Sequence, residues 1–377
     1  MGTFLSQEFS ASGSQLAQAY ETQSIGAIIA PFVIGLIADR YFDAQKILGI
    51  LHLMGAALLF IMSHAEHFEN FYPYIFIYML LYMPTLALAN AVAFNQMKDP
   101  SKQFASIRVL GSVGWIVAGF TIGTLGWEGT QTLKYTFYMA SGASALLGVY
   151  SFFLPKTPPR LSSNEKISLR EILGLDALAM LKDRGFLFFF IASILICIPL
   201  AFYYQHANPF LNEVGMEAAA SKMILGQISE VLFLLLLPLF IKRYGIKNAL
   251  VVGILAWGVR YLLFAYGDTG AQTWMLIFGI LLHGVCYDFF FVSGQIYTDY
   301  KAGETFKSSA QGLITLATYG LGMLIGFRFA GWLTDQYVTD TGHLWSNIWV
   351  HPAIFSFLVL ILFLIFFKNE TIKFRTL

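Results

Sequence analysis

Charged residues are scarce in this sequence. They make up 12% of its 377 residues, against roughly 25% in soluble domains, while 57% of the residues are hydrophobic and the mean hydropathy is +0.65. This balance excludes a soluble globular domain and indicates a polytopic membrane protein. The net charge is only +1, and no basic tract with interleaved aromatic residues is present, so a nucleic-acid partner is not expected.

Cysteines are few, and nucleotide-binding motifs are missing. The two cysteines, Cys197 and Cys286, both fall in apolar segments, which is typical of small buried side chains and not of a disulfide or a metal site. The seven histidines lack the paired spacing of a haem or zinc site, and there is neither a P-loop nor a dinucleotide fingerprint. We therefore expect neither an enzyme nor a cofactor, and transport driven by ATP in this chain is disfavoured.

Long apolar runs dominate what the sequence does contain. A membrane span needs about 20 mostly apolar residues, and eleven segments meet this requirement. They lie at about 22–41, 45–63, 71–95, 106–125, 134–154, 186–204, 222–243, 247–266, 272–297, 309–332 and 348–368. The predicted fold is an all-α polytopic membrane protein, with a bundle of five spans at 1–154, a polar linker at 155–185 and a bundle of six spans at 186–377.

The distribution of Lys and Arg predicts the orientation of these spans. When the connections are assigned alternately to the two sides, nearly all of their basic residues fall on one side, which includes the long linker and the C-terminus. Only Lys134 and Lys222 fall on the other. We therefore expect the linker and the C-terminus to be cytoplasmic and residues 1–23 to lie outside the cell as the end of a helix and a first outer loop.

An internal repeat relates the two bundles. A shift of 203 positions aligns glycine-rich helices and the ends of two spans as parallel copies. The matching positions are Arg40-Tyr41 with Arg243-Tyr244, and Gly119-x3-Gly123 with Gly322-x3-Gly326. Under this shift, the counterpart of the span at 186–204 would lie upstream of Met1, so the first helix of a six-plus-six arrangement is predicted to be missing. A true eleven-helix protein is the alternative.

Charged residues inside spans are the main functional candidates. An acidic side chain at the centre of a membrane helix costs on the order of 2.5 to 3.5 kcal/mol and usually faces a cavity or a partner. Glu230 is in such a position, with Gln227 one helical turn before it on the same face. A structural pair with an Arg of another helix is the alternative for Glu230. Asp288 is the other acid well inside a span. It is expected either to form a structural pair with Arg260 or to bind the transported proton.

Two basic residues near the outer ends of spans have a simpler interpretation. Arg260 and Arg328 are expected to extend their charged groups towards the membrane surface in structural roles.

Several motifs resemble known transporter families. The stretch Gly35-Leu-Ile-Ala-Asp39-Arg40 is similar to the loop signature of the major facilitator superfamily, although Phe42 and Asp43 depart from it. Further stretches resemble the nucleoside:H+ symporter family within that superfamily. They are YMPTLALAN (82–90), IRVLGSVGW (107–115), ILGLDALAMLK (172–182), GQISEVLF (226–233), RYGIKN (243–248), LFAYGD (263–268), YDFFFVSG (287–294) and SAQG (309–312). The resemblance implies two helical bundles that rock about a central site.

The resemblance implies that Arg108, Gln227, Glu230 and Asp288, at matching positions, line a central site. The residues expected to bind substrate there are Arg108, Ser112, Trp115, Tyr204, Gln227, Glu230, His283 and Tyr287. Glu230 and Asp288 are expected to couple transport to protons. The residues expected to act in gating are Asp39, Arg40, Gly119, Gly123, Gly322 and Gly326, where the four glycines would let helices approach closely at the moving seam between the bundles.

The chemistry of these residue types suits a nucleoside. Trp115, Tyr204 and Tyr287 could stack a base for roughly 1 to 3 kcal/mol each, and Gln227 offers both a donor and an acceptor to a base edge. Glu230 or Arg108 could bind ribose hydroxyls. Tyr204 and His283 depart from what is usual in the family, which leaves the substrate itself open.

The sequence therefore predicts a monomeric, proton-coupled nucleoside importer of the inner membrane, with a nucleoside such as uridine or adenosine and H+ as its partners and no metal. The alternatives are the same fold transporting a sugar or glycoside, and a non-transporting sensor or truncated remnant. Neither alternative changes the expected fold.

Overall fold

The computed structural model describes residues 1–33, 41–97, 100–159 and 175–368. In the first bundle the described helices follow one another through short connections. They are α1 (Gly2–Phe9), α2 (Gly13–Val33), α3 (Ala44–Met62), α4 (Phe68–Gln96), α5 (Pro100–Thr124) and α6 (Lys134–Ser151). Asp39 and Arg40 of the loop signature lie outside the described residues.

The linker ends with a short 3₁₀ segment, Leu175–Lys182, and the second bundle follows. Its helices are α7 (Arg184–Glu213), α8 (Ala219–Tyr244), α9 (Ile246–Tyr266), α10 (Thr273–Leu281), α11 (His283–Tyr287), α12 (Ser293–Thr315), α13 (Met323–Asp335) and α14 (Trp345–Phe366). Two π turns, Asp288–Val292 and Leu316–Gly322, connect α11 to α12 and α12 to α13. Strands β1 (Val338–Thr339) and β2 (Gly342–His343) form an antiparallel hairpin before α14.

The described part of the chain has eight helical stretches that are long and apolar enough to cross a membrane. An all-α membrane fold is therefore as expected. The number of eleven spans and the missing first helix stay predictions.

The prediction for residues 1–23 was wrong in part: α1 agrees with the end of a helix, but residues 13–23 form the first half of α2 and not an outer loop. Polar residues such as Glu21 and Thr22 lower the mean hydropathy of this segment, yet they are buried inside the bundle. The start of α2 is set by tertiary contacts: a Cβ on Gly13 would lie only 2.6 Å from the carbonyl oxygen of Gly331 on α13. Helix α2 therefore begins where it meets α13.

The region between the ninth and tenth predicted spans also differs from the prediction. Residues 298–308 were expected to form a loop, but they belong to helix α12. The 3₁₀ segment packs along α12, and the Lys301 ammonium lies 3.0 Å from the Asp183 carboxylate at the start of α7. These contacts with the end of the linker favour a continued helix over a turn.

Hydrophobic burial is divided between the two bundles. The largest cluster of buried residues lies entirely within 177–367, and two smaller clusters lie within 4–137 and 44–92. Because each bundle has buried clusters of its own, the two can move relative to each other without losing their packing.

The bundles meet mainly along two helix pairs, α2 with α13 and α5 with α8. The 203-residue shift carries one pair onto the other. At the second contact, a Cβ on Gly119 would lie 3.0 Å from Ile224 of α8. Nearer the start of α5 there is open space, since a Cβ on Gly111 or Gly114 would meet no atom within 4 Å.

Candidate functional site

A close contact between α8 and α11 places the intramembrane acid Glu230 near His283. Gly284 makes this contact possible, because a Cβ there would lie 2.5 Å from the backbone of Ser229. The Gly284 N–H donates to Ser229 Oγ at 3.0 Å. As a result, Glu230 Oε2 lies 3.6 Å from His283 Nε2, with the Glu230 side chain 24% exposed and that of His283 only 6%.

Arg260 carries a permanent positive charge next to His283. It is fully buried on α9, its guanidinium carbon lies 3.5 Å from the centre of the Tyr203 ring, and Nη1 lies 3.3 Å from His283 Nδ1. The expectation that Arg260 extends towards the membrane surface was therefore wrong. Rings of Tyr203, Trp257 and Phe264 surround the guanidinium, and such cation–π contacts offset part of the cost of burying the charge.

Aromatic rings lie beside these charges. The His283 imidazole is stacked between Tyr203 and Tyr287, with centroid distances of 5.4 and 5.8 Å. The Tyr287 hydroxyl lies 2.5 Å from that of Tyr319 at the second π turn. The Tyr204 ring lies 6.3 Å from that of Tyr203, and Tyr204 is half-buried, as are Tyr287 and Tyr319. Part of each of these three rings is therefore accessible to a ligand.

The structure brings together most of the predicted residues of the second bundle. Glu230, His283, Tyr287 and Tyr204 share one cluster, and Gln227 lies half-buried one turn before Glu230 on α8. Asp288 is buried at the first residue of a π turn, and π turns inside helices are frequent at functional sites.

The predicted residues of the first bundle lie apart from this cluster. Ser112 is half-buried on α5, and Trp115 is 72% exposed on the same helix. Arg108 belongs to α5 as well, but its side chain lies outside the described residues. The site therefore consists of a packed wall of the second bundle, with α5 of the first bundle carrying exposed side chains.

The gating glycines are divided between two kinds of contact. Gly119 and Gly123 pack on α8 across the two bundles, as expected. Gly322 and Gly326 instead pack on α7 within the second bundle, against Cys197 and Ala201, so the expected seam position was wrong for them. The π turn before Gly322 rotates the helix faces, and it is Gly320 that faces Ile28 of α2.

Two carboxylates, one in a connection and one at the end of a helix, join the bundles at the end where they touch. Glu128, which is 4% exposed, accepts hydrogen bonds from Asn208 Nδ2 at 2.8 Å, Asn212 Nδ2 at 3.0 Å and the backbone N–H of Ala220 at 2.9 Å. These donors lie at the end of α7 and the start of α8.

Asp335 has the equivalent role at the other helix pair. It accepts from the N–H groups of Gly13 and Ser14 at 2.6 and 2.9 Å. Each carboxylate thus caps the first turn of a helix in the opposite bundle, where N–H groups lack partners and the helix dipole favours negative charge. Nearby, Arg328 is 67% exposed at its side chain and forms an ion pair of 2.6 Å with Glu21 across the same interface.

Some functional residues were missed from the sequence. Tyr203 and Tyr319 stand among many membrane aromatics, and only their proximity in space distinguishes them. Glu128 and Asp335 lie in or next to loops, where an acidic residue does not by itself indicate a function. Within the described ranges, no group of three or more His, Cys, Asp or Glu side chains is placed to hold a metal ion.

Comparison with known proteins identifies relatives along the whole chain. A family model described as "Nucleoside H+ symporter" matches residues 1–372. The chain is 42% identical over 371 residues to the "Putative nucleoside transporter YegT" of Escherichia coli (strain K12), a match covering 95% of this chain and 87% of that protein. It is 29% identical over 392 residues to the "Nucleoside permease NupG" of the same organism, covering 100% and 93%.

Solved structures support the same architecture. A crystal structure of the nucleoside transporter NupG superposes with a TM-score of 0.87 at 29% identity, covering 98% of this chain and 94% of that one. A crystal structure of the peptide transporter POT in complex with sulfate superposes with a TM-score of 0.71 at 13% identity. The second likeness concerns the fold alone, and both agree with the major facilitator-type arrangement expected from the sequence.

Proposed function

This chain belongs to the nucleoside H+ symporter family, and from that membership and the site we propose that it imports nucleosides together with protons by alternating access. It is a membrane transporter and not an enzyme. The observation that carries the proposal is the partly exposed Glu230 carboxylate, 3.6 Å from the buried His283. The sugar alternative is not favoured, because the relatives at 29% identity or more are named for nucleosides or xanthosine.

We assign the proton to Glu230. Its carboxylate is 24% exposed, so that water can deliver and remove a proton, and an uncompensated charge inside a span is costly enough to make proton uptake part of the cycle. Asp288 is the second candidate, since it is buried at a π turn within the same segment as His283. In this assignment Glu230 binds the proton in one state of the bundles and releases it in the other.

We assign nucleoside recognition to groups from both bundles. The half-buried rings of Tyr204, Tyr287 and Tyr319 offer faces on which a base can stack, for roughly 1 to 3 kcal/mol each. Gln227 can both donate to and accept from a base edge. The ligand would also contact Arg108, Ser112 and Trp115 of α5. It would then be held between the bundles, and its binding would depend on their relative position.

We further propose that the protein is a monomer in the inner membrane with its linker and C-terminus in the cytoplasm. The excess of Lys and Arg on that side supports this orientation. The cavity would then be open to the cytoplasm and closed at the outer end, where Glu128 and Asp335 join the bundles.

The test is uptake of labelled uridine and adenosine into proteoliposomes, with and without an inward proton gradient. We expect gradient-driven uptake by the wild-type protein and its loss in Glu230→Gln, which keeps the size of the side chain but cannot ionise. Glu69→Gln changes an exposed acid at the start of α4 in the same way and serves as the control. Absence of uptake of both nucleosides by folded, inserted protein would refute the substrate assignment, and unchanged coupling in Glu230→Gln would move the proton site to Asp288.

A further inference from the structure

We propose that Arg260 acts as a positioning residue that fixes the tautomer of His283, so that the imidazole stays neutral, directs its Nε2–H towards Glu230 and leaves Glu230 to carry the proton. This inference rests on the proposed function and deepens it. It concerns the division of labour between two adjacent titratable groups, either of which could in principle be the proton carrier.

The first step follows from the contact between Arg260 and His283. A guanidinium has five N–H donors and no acceptor, and it stays protonated in proteins. Because Arg260 Nη1 lies 3.3 Å from His283 Nδ1, that nitrogen must accept the hydrogen bond with its lone pair. A neutral imidazole carries its single proton on one nitrogen only. The proton of His283 is therefore on Nε2.

The second step follows from the position of Nε2. This atom lies 3.6 Å from Glu230 Oε2, so its N–H points at a carboxylate. The Glu230 side chain is 24% exposed, whereas that of His283 is 6% exposed. Water in the cavity can therefore reach the carboxylate, while the imidazole is closed off between its partners. Of the two groups, only Glu230 has both an N–H group directed towards it and access to water.

The charge of Arg260 acts on His283 in the same sense. The groups that face His283 are Tyr203 of α7, Glu230 of α8, Arg260 of α9 and Tyr287 of its own segment. Glu230 would favour a protonated imidazole. Arg260 opposes it from a shorter distance and from a fully buried position, where charges are poorly screened. A proton on Nδ1 would also remove the acceptor that Arg260 uses.

The consequence for transport concerns what happens without Arg260. Nδ1 would then be free to take a proton, and an imidazolium beside Glu230 would stabilise the ionised carboxylate. Protonation of Glu230 would require a more acidic medium. Removal of Arg260 is thus expected to move the pH dependence of uptake to lower pH, by about one unit if the new pair gains a tenfold preference for the ionised carboxylate.

The functional test uses substitutions that separate hydrogen bonding from titration. In His283→Gln, the amide oxygen can accept from Arg260 and the amide N–H can donate to Glu230, so the pH profile of uptake should match that of the wild type. His283→Leu removes both interactions and should reduce coupled uptake by about tenfold, as loss of a hydrogen bond to a charged group of roughly 1.5 kcal/mol would do.

Variants of Arg260, alone and combined with a His283 variant, complete the test. Arg260→Met should show the acid shift, and the double variant Arg260→Met with His283→Gln should return to the wild-type pH profile, because no titrating imidazole remains. An unshifted profile in Arg260→Met, or loss of coupling in His283→Gln equal to that in His283→Leu, would overturn the proposal. If Arg260→Met fails to fold, the comparison of the two His283 variants decides.

A spectroscopic measurement tests the tautomer without any transport assay. In protein labelled with ¹⁵N-histidine, the signals of His283 are those that disappear in His283→Gln. We expect the shifts of a neutral imidazole protonated at Nε2 near neutral pH, and imidazolium shifts would overturn the inference. This result stands whether or not nucleosides are transported, whereas absence of proton-driven uptake by the wild type would contradict the proposed function and not the tautomer.

Discussion

Two glycines show how single residues set the geometry of the site. Gly226 and Gly284 lie where α8 and α11 touch, and a Cβ on either would come within 3.1 Å or 2.5 Å of the other helix. The distance between Glu230 and His283 depends on this approach. A residue that has no side chain thus determines the environment of the intramembrane carboxylate.

The first prediction concerns Gly284→Ala. The added methyl group would collide with the backbone of Ser229, which cannot move as a flexible side chain can, so we expect a loss of roughly 1 to 3 kcal/mol in stability. Uptake should fall as Glu230 and His283 move apart. Thermal unfolding in detergent and uptake in proteoliposomes measure both effects.

The matched control is Gly114→Ala on α5, where a Cβ would meet no atom within 4 Å. Replacing a glycine inside a helix with alanine usually stabilises by about 0.5 to 1 kcal/mol, so its unfolding temperature should not fall. Equal effects of the two substitutions would show that helix packing at Gly284 is not what sets stability.

At the scale of helices, the start of α7 depends on Asp183. Its carboxylate accepts from the Phe186 N–H at 2.8 Å and lies 3.0 Å from the Lys301 ammonium. Partial burial of the carboxyl acts to raise its pKa, but these two partners outweigh it and hold the pKa of Asp183 below its ordinary value. The stabilisation is therefore present above about pH 4 and is lost as the pH falls through the lowered value.

The second prediction follows from this cap. Asp183→Ala should cost about 1 kcal/mol at neutral pH and lower the unfolding temperature by roughly 1 to 3 °C, and the difference from the wild type should shrink in acid. Asp183→Asn keeps a capping side chain but loses the ion pair, so it should cost less. A difference that stays constant down to pH 3 would contradict the assignment to an ionised cap.

The third prediction concerns the carboxylates that join helices of opposite bundles. Glu128 and Asp335 each accept hydrogen bonds from the first turn of a helix across the interface, and bonds to charged groups contribute roughly 1.5 to 3 kcal/mol. Replacing both by Ala should populate a state in which the outer ends separate. Spin labels at Lys134 and Glu217, which are exposed at that end, should then show longer distances.

The control for this pair is Glu69→Ala with Asp340→Ala, which removes one exposed acid from the same end of each bundle. Its distance distribution should match that of the wild type. If the Glu128 and Asp335 variant shows the wild-type distribution as well, other contacts, such as the Arg328–Glu21 pair, keep that end closed.

At the scale of the whole molecule, orientation is the property to test. The fourth prediction is that Lys134→Cys reacts with a membrane-impermeant maleimide from outside intact cells, whereas Lys156→Cys reacts only after permeabilisation. Both positions are exposed, and the native Cys197 and Cys286 are fully buried, so they should contribute little background. Labelling of Lys156→Cys in intact cells would reverse the orientation that the basic residues predict.

The sequence by itself determined the class of this protein and the approximate positions of its helices, because bilayer thickness and the cost of burying charge act on local composition. It also pointed to Glu230, since an acid in the middle of an apolar run is recognisable without a structure. The nucleoside-symporter resemblance of the motifs around Gln227 and Tyr287 agreed with the family that the full chain matches.

Only the tertiary structure decided which groups meet. Arg260 looked like a residue near a helix end, yet it is fully buried beneath Tyr203, because its environment is supplied by another helix. Gly322 looked equivalent to Gly119, but a π turn rotated it towards α7. Glu128 and Asp335 gain their partners from helix starts on the opposite bundle. In each case the deciding interaction joins residues far apart in sequence, and local composition carries no record of such contacts.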